Sequence, residues 1–388
     1  MQPAILPQVI FSPGVLAMGL AEALESAGTR VTLFTPGDMG LGIPNVTADL
    51  SGFEEELRAR GDTYIELLKK HPLVFISLAR QVQSELISKA YDMANSGDLD
   101  VVHIYTNEED IALPFARLCR KPVVFTHHDP FNFATSYRHV FPKYAHLNWI
   151  SMSLAQRVKM PADTNWVANI YHGMSPDGFV PSFSQGSKNL VYLGRIVEPK
   201  GVHLAIRAVK KYNETALVPY RLKIAGKHYS GTAKDGYWLR YVAPLIDGDE
   251  IQYVGFISNQ DKKRDFLRDA TAILVPSTFD EPFGMVMIEA LACGTPVIGL
   301  NSGAIPEVVI DGVTGIVVPK VMRSVVNPKN GRRDEQVDSA ATALALARAI
   351  GEVRRIDRRA CRTDFETRFT LKRMCAEHQL VYEELVRE

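Results

Sequence analysis

Ala272–Gly299 reads AILVPSTFDEPFGMVMIEALACGTPVIG. Ala272-Ile-Leu-Val275 has the length and apolar character of a short buried strand. Pro276 to Pro282 is a loop, and Met285 to Ala292 reads as a helix that begins near Gly284. Thr295-Pro-Val-Ile-Gly299 is a second short apolar run. Strand, helix and strand in this order make a βαβ unit, and its two strands run parallel because the helix carries the chain back.

The same alternation extends in both directions. Val31–Thr35 follows an apolar-striped segment from Val15 to Gly28. Val101–Tyr105, a helical run Ile111–Cys119 and Pro122–Thr126 come next, then Leu190–Leu193, helix Val202–Tyr212 and Arg221–Ala225. Ile251–Val254 leads through Lys262–Asp269 to Ala272, and Thr314–Val318 closes the series. Short strands separated by helical periods imply an α/β chain with parallel sheets. The segment Met174–Lys188, rich in proline, glycine and serine, breaks the series and reads as a linker. Domains are expected over 1–178 and 179–363, each doubly wound and Rossmann-like, facing a central cleft with ligand at the carboxyl ends of the strands. Lys320–Asp338 is polar and without period and reads as a loop, and the pattern from Asp364 to Arg387 is helical.

At 388 residues the chain is too long for one hydrophobic core, and its 46% hydrophobic and 23% charged content is ordinary for a globular protein. The 44 basic and 44 acidic residues cancel, so no global basic field points to nucleic acid, and any bound anion must be held by local groups. Cys119, Cys293, Cys361 and Cys375 show no metal-ligand spacing; three read as buried thiols, which fits a cytoplasmic setting. The start of the sequence lacks the pattern of a signal peptide, and no apolar run is long enough to span a membrane. A peripheral membrane contact is left open and nothing in the sequence indicates it.

Two constellations carry chemistry. Glu281 precedes the helix at Met285, and Glu289 lies about five residues into it, roughly 7.5 Å along its axis. The free amides at the helix start, around Phe283, Gly284 and Met285, suit an anion. A carboxylate on either side suits paired sugar hydroxyls on either side of a diphosphate. Glu289 stands in the apolar run Met-Val-Met-Ile-Glu-Ala-Leu-Ala, where an unpaired carboxylate is costly. The plainer alternative makes Glu281 a helix cap and Glu289 a surface residue. The second constellation is Leu193-Gly-Arg-Ile-Val-Glu-Pro-Lys-Gly201, where a strand delivers Gly194 and Arg195 and the next helix follows Lys200. Guanidinium and ammonium at a βα corner suit two phosphates, one by a planar fork and one by a point charge.

These motifs, with Ala292-Cys-Gly-Thr-Pro-Val297, Ser302-Gly-Ala-Ile-Pro-Glu-Val308 and Asp311-Gly-Val-Thr-Gly315, resemble glycosyltransferase family 4 over nearly all of residues 188–318. A looser match continues upstream through Asp100-Val-Val-His103, Pro122–His128, Ile150–Ser153 and Tyr171-His-Gly173. The resemblance implies the GT-B fold and retaining, nucleotide-sugar-dependent transfer, with 364–388 packing back on the first domain. By position it assigns Arg195 and Lys200 to the donor diphosphate, Glu289 to the ribose, and Glu281 to the transferred sugar. Gly194, Phe283, Gly284 and Met285 would line the donor, and Val254-Gly255-Phe256 the base. His128 would face the transferred sugar, or His127 if the register slips by one. The family opens with a strand and paired glycines; here Pro7 interrupts the strand and Ser12-Pro-Gly14 leaves Gly14 as the close-approach position.

The expected activity is transfer of a hexose-type sugar from a nucleoside diphosphate, UDP before GDP, to a sugar, lipid-linked or small-molecule hydroxyl read by loops within Leu41–Lys89. No cofactor or metal is expected, since no acidic triplet is present and two cations already balance the diphosphate. A nucleotide-sugar-binding protein without turnover is one alternative. A glycoside hydrolase is another, disfavoured because retaining hydrolases hold their carboxyl groups about 5–5.5 Å apart. A nicotinamide dehydrogenase is weaker still, as no GxGxxG follows a strand.

Overall fold

The computed structural model describes residues 12–105, 109–131, 135–184, 187–229, 235–326 and 331–387. The opening strand expected around Pro7 lies outside them. Two compact units divide the chain. The first comprises Met1–Met152, Arg157–Met174 and Leu371–Glu388, and the second Ser153–Gln156 and Ser175–Thr370. The break thus falls at residues 174 and 175, where 178 and 179 were expected. The return to the first unit begins at Leu371 rather than at residue 364.

In the first unit, β1 (Leu33–Thr35) and β2 (Asn45–Thr47) form a parallel pair. A four-stranded parallel sheet runs β3 (Val102–Ile104), β4 (Val123–Thr126), β5 (Asn148–Ser151), β6 (Trp166–Asn169). Phe125, Trp149, Phe131 and Phe141 fill the core beside it. The sequence reading passes over β2, β5 and β6, which are short or partly polar. The region expected to supply acceptor loops is instead largely helical, with helices Ser51–Arg60, Tyr64–Lys70 and Pro72–Ser96. Thr63 and Glu66 form a capping box at the second of these. Helix Ser12–Ser26 packs on helix Leu371–Arg387, where a Cβ at Gly19 would touch Leu371 at 3.9 Å.

The second unit holds a six-stranded, all-parallel sheet. Its strands are β7 (Asn189–Leu193), β8 (Arg221–Ala225), β9 (Ile251–Gly255), β10 (Ala272–Val275), β11 (Val297–Leu300) and β12 (Gly315–Val318). In space they run β9-β8-β7-β10-β11-β12, the doubly wound 3-2-1-4-5-6 order. The chain winds outward from β7 on one side and, after β9, crosses to β10 on the other. The switch point therefore lies between the carboxyl ends of β7 and β10. The stretch read as a loop, Lys320–Asp338, contains an antiparallel hairpin of β13 (Met322–Val326) and β14 (Arg333–Val337). Nearly every residue of both strands is exposed and neither strand alternates apolar with polar, so no strand period shows in the sequence. The helical stretch from Asp364 is two elements: helix Arg358–Arg368 ends at Phe369, and helix Leu371–Arg387 follows. Among the described residues no helix is long and apolar enough to cross a membrane. All four cysteines are free, and Cys293, Cys361 and Cys375 are buried.

Candidate active site

The loops leaving β7 and β10 meet at the switch point of the second unit. Lys200, in the turn after β7, donates to Glu281 Oε2 at 2.6 Å; Glu281 follows β10 and is 6% exposed. Ser277 Oγ donates to the same oxygen at 3.1 Å, and the Lys200 ammonium lies 4.9 Å from the centre of the Phe279 ring. The backbone reinforces the crossing, since the amide of Thr278 donates to Pro199 O at 2.8 Å. Glu281 is therefore no helix cap. The cap position is Gly284, at φ 90°, with no side-chain bond to the first amides of helix Met285–Ala292. A Cβ there would lie 2.7 Å from Met287 Cε and 3.3 Å from Glu281 Cγ, so glycine serves both backbone and space.

Arg195 begins beside the same strand. The buried Tyr192 hydroxyl donates to Arg195 O at 2.7 Å and fixes the corner after Gly194. The Arg195 side chain is exposed, and its guanidinium has no ion pair among the described residues. Glu289 is not an unpaired carboxylate in its apolar run: Lys263 donates to its Oε1 at 2.6 Å. Phe283 is buried against Phe369, with ring centres 6.1 Å apart. Val254 and Phe256 flank Gly255 at the end of β9 with exposed side chains, and the Lys227 ammonium sits 4.1 Å from the Phe256 ring centre.

Several site neighbours escape a linear reading. Gly303 lies under Glu281, where a Cβ would approach the Glu281 amide nitrogen and carbonyl oxygen to 2.3 Å. Ser302 Oγ donates to Phe279 O at 2.6 Å, and Lys320 donates to Ser302 Oγ at 3.0 Å. Glu307 accepts from the amides of Leu154 and Ala155, a structural use of the Ser302–Val308 motif. The apolar setting of Glu289 signals that a cation is needed, but Lys262, Lys263 and Arg264 are equivalent candidates in one dimension.

Both histidines at the end of β4 belong to the first unit. His127 is fully buried, 3.0 Å from Glu109 Oε2 through Nδ1, with its ring against Phe131 and Phe141. His128 is half-buried and stacks on His172 at 5.3 Å, with Tyr105 at 4.7 Å. Burial holds the His128 pKa well below the usual imidazole range, so the ring is neutral. Gly14 is the third residue of helix Ser12–Ser26 and is half-buried. Among the described residues no group of three His, Cys, Asp or Glu side chains could hold a metal ion.

Two family models match in sequence, Glycosyltransferase Family 4 over residues 14–162 and Glycosyl transferases group 1 over residues 178–324. The chain belongs to the family 4-like glycosyltransferases. It is 34% identical over 166 residues to the D-inositol 3-phosphate glycosyltransferase of Streptomyces bingchenggensis, which covers 41% of this chain and 33% of that relative. The chain's alignments to the curated relatives it matches span only about a third to a half of their length. Solved structures share the fold. Alr3699/HepE of Anabaena, crystallised with UDP and glucose, superposes with a TM-score of 0.67 at 16% identity, covering 96% of both chains. Sucrose-phosphate synthase of Thermosynechococcus elongatus gives 0.67 at 20% identity, over 96% of this chain and 93% of that one. This glycosyltransferase family member therefore has the GT-B fold of two Rossmann-like domains.

Proposed function

We propose that this chain is a retaining glycosyltransferase that moves a hexose-type sugar from a nucleoside-diphosphate sugar to an acceptor hydroxyl. The observation that carries the reading is the Lys200–Glu281 contact of 2.6 Å. It joins a cation and a carboxylate from the two loops that leave the switch point, where open α/β sheets bind ligands. Arg195 and Lys200 take the diphosphate together with the amides of Phe283, Gly284 and Met285. Glu281 takes hydroxyls of the transferred sugar, Glu289 those of the ribose, and Val254-Gly255-Phe256 lies beside the base. Gly194 and Gly14 leave room for close approach, and neutral His128 hydrogen-bonds the transferred sugar. UDP stands before GDP, in keeping with the ligand in the Anabaena structure. The acceptor is a sugar, a lipid-linked group or a small molecule, and the reaction runs in the cytoplasm without nucleic acid.

Retention by double displacement needs a carboxylate nucleophile, yet Glu281 and Glu289 are each engaged by a lysine. Front-side attack is the better fit. The departing diphosphate, held by two cations and the helix amides, takes the acceptor's proton on its oxygen as the new bond forms. Since those groups balance its charge, no metal is assigned.

Calorimetry with UDP and with UDP-glucose tests the division of roles. Glu289→Gln is expected to weaken both ligands, because both contain the ribose. Glu281→Gln is expected to leave UDP almost unchanged and to weaken UDP-glucose. Identical behaviour of the two variants would refute it.

A further inference from the structure

The second unit contains a cavity of about 530 Å³ apart from the candidate active site, a volume typical of small-molecule pockets. Its walls include Glu198 from the turn after β7, His203 and Arg207 from helix Val202–Asn213, Tyr237 and Tyr241, and Arg323 from β13. Arg207 and Arg323 are exposed, and neither guanidinium has a hydrogen bond or ion pair among the described residues. Two unpaired cations lining one hollow repel each other, and a bound anion reverses that term. Tyr237 ties His203 into the wall. Its hydroxyl accepts from the His203 amide at 3.2 Å and lies 2.8 Å from His203 Nδ1. Burial lowers the His203 pKa to about 4, so the ring is neutral.

The other walls suit the rest of a ligand. Glu198 is acceptor-only and fits paired hydroxyls. Tyr237 and Tyr241 lie with ring centres 5.9 Å apart and offer aromatic surface to the C–H face of a sugar ring. We propose that this cavity binds a phosphorylated sugar-type small molecule, its phosphate on Arg207 and Arg323 and its hydroxyls on Glu198. The cavity touches the turn that carries Lys200, since both Glu198 and Thr278 line it and the Thr278 amide bonds Pro199 O. An occupant therefore biases the Lys200–Glu281 pair. That coupling rests on the proposed function, whereas the site itself does not.

Glucose 6-phosphate titrated into the full chain by calorimetry is the test, with inorganic phosphate, glucose and saturating UDP as separate arms. Saturable binding of glucose 6-phosphate is expected, weakened about tenfold by Arg207→Gln or Arg323→Gln. Arg195→Gln is expected to leave it unchanged, saturating UDP to shift its affinity without abolishing it because the coupling is reciprocal, and glucose to bind not at all. Four results overturn the proposal: no saturable heat, unchanged binding in both cavity variants, loss with UDP or Arg195→Gln, and phosphate binding as tightly as the sugar phosphate. The first three remove the site and the fourth its sugar specificity. Failure of UDP to bind would instead sink the donor reading and leave this site standing. Unchanged melting curves of the two surface variants confirm an intact fold.

Discussion

Lys200 and Arg195 stand in one turn under different constraints. The Lys200 ammonium is engaged with Glu281 and is 21% exposed, whereas the exposed Arg195 guanidinium has no ion pair among the described residues. Removing either is expected to weaken donor binding by about 1.5–3 kcal/mol, roughly ten- to a hundredfold. Their stabilities should separate them: Arg195→Ala leaves the melting temperature unchanged, while Lys200→Ala lowers it by stranding a buried carboxylate on Ser277 alone. Calorimetry and thermal unfolding of both variants check this, and wild-type donor affinity in both would remove the pair from the site. Gly303 gives a stricter test of Glu281. A Cβ at φ 53° and 2.3 Å from the Glu281 backbone forces that residue to move. Gly303→Ala should therefore lose both stability and donor binding, whereas Gly312→Ala, at φ 73° with open space around it, should lose a little stability only. Glu281 and Glu289 were legible because a carboxylate in a glycine-bearing loop or an apolar run is unusual. Lys263, Lys320 and Gly303 were not, because their roles exist only where distant turns meet.

At the scale of elements, helix Arg358–Arg368 is held in the second unit through its arginines. The Arg358 guanidinium is buried and donates to Ser182 O, Ala270 O, Arg268 O and Thr295 Oγ1 at 2.6 to 2.9 Å. Arg362 bonds Phe179 O and Ala292 O, and Arg368 bonds Glu307 O and Val308 O. Arg358→Met keeps the aliphatic stem and removes four donors at once. At about 1.5–3 kcal/mol for one charge-assisted bond, the loss should exceed that of Arg359→Met, whose guanidinium lies over the Phe183 ring. Urea unfolding of both variants reads the difference, and equal midpoints would show that the carbonyls find water instead. Such a helix illustrates what the sequence hides. β8, β10 and helix Met285–Ala292 were legible to the residue, because each is apolar enough to show its period. The β13–β14 hairpin and the join at Phe369 were not, because cross-strand pairing and carbonyl-bound arginines leave no local pattern. The three helices between Ser51 and Ser96 were passed over although Thr63 and Glu66 spell a capping box.

For the whole molecule, the strongest physical signal is the number of histidines buried without charge. In the first unit His103 bonds Tyr382 and Thr126, and its ring lies near His378, while His172 stacks on His128. Burial holds the pKa of His172 down to about 3 and that of His378 to about 4, with Arg373 adding to both. His103 and His128 are also held well below the usual range, and His203 in the second unit falls to about 4. Glu109, raised by burial, opposes them as a single group. Well above pH 6.5, from about pH 7.5, these imidazoles are neutral in both folded and unfolded chains, so they contribute no pH dependence. Between 6.5 and about 4 the unfolded chain takes up protons that the folded chain refuses, and stability must fall as pH falls. Each histidine adds a slope of at most about 1.4 kcal/mol per pH unit. His378 offers the cleanest removal. Its Nδ1 donates to Met374 O within its own helix, and its Nε2 is buried without a partner among the described residues. His378→Leu is expected to flatten the decline by up to that one-group slope while leaving stability near neutral pH little changed. Urea unfolding from neutral pH to about pH 5 measures it. A variant as acid-sensitive as the wild type would show that the titration belongs to other groups.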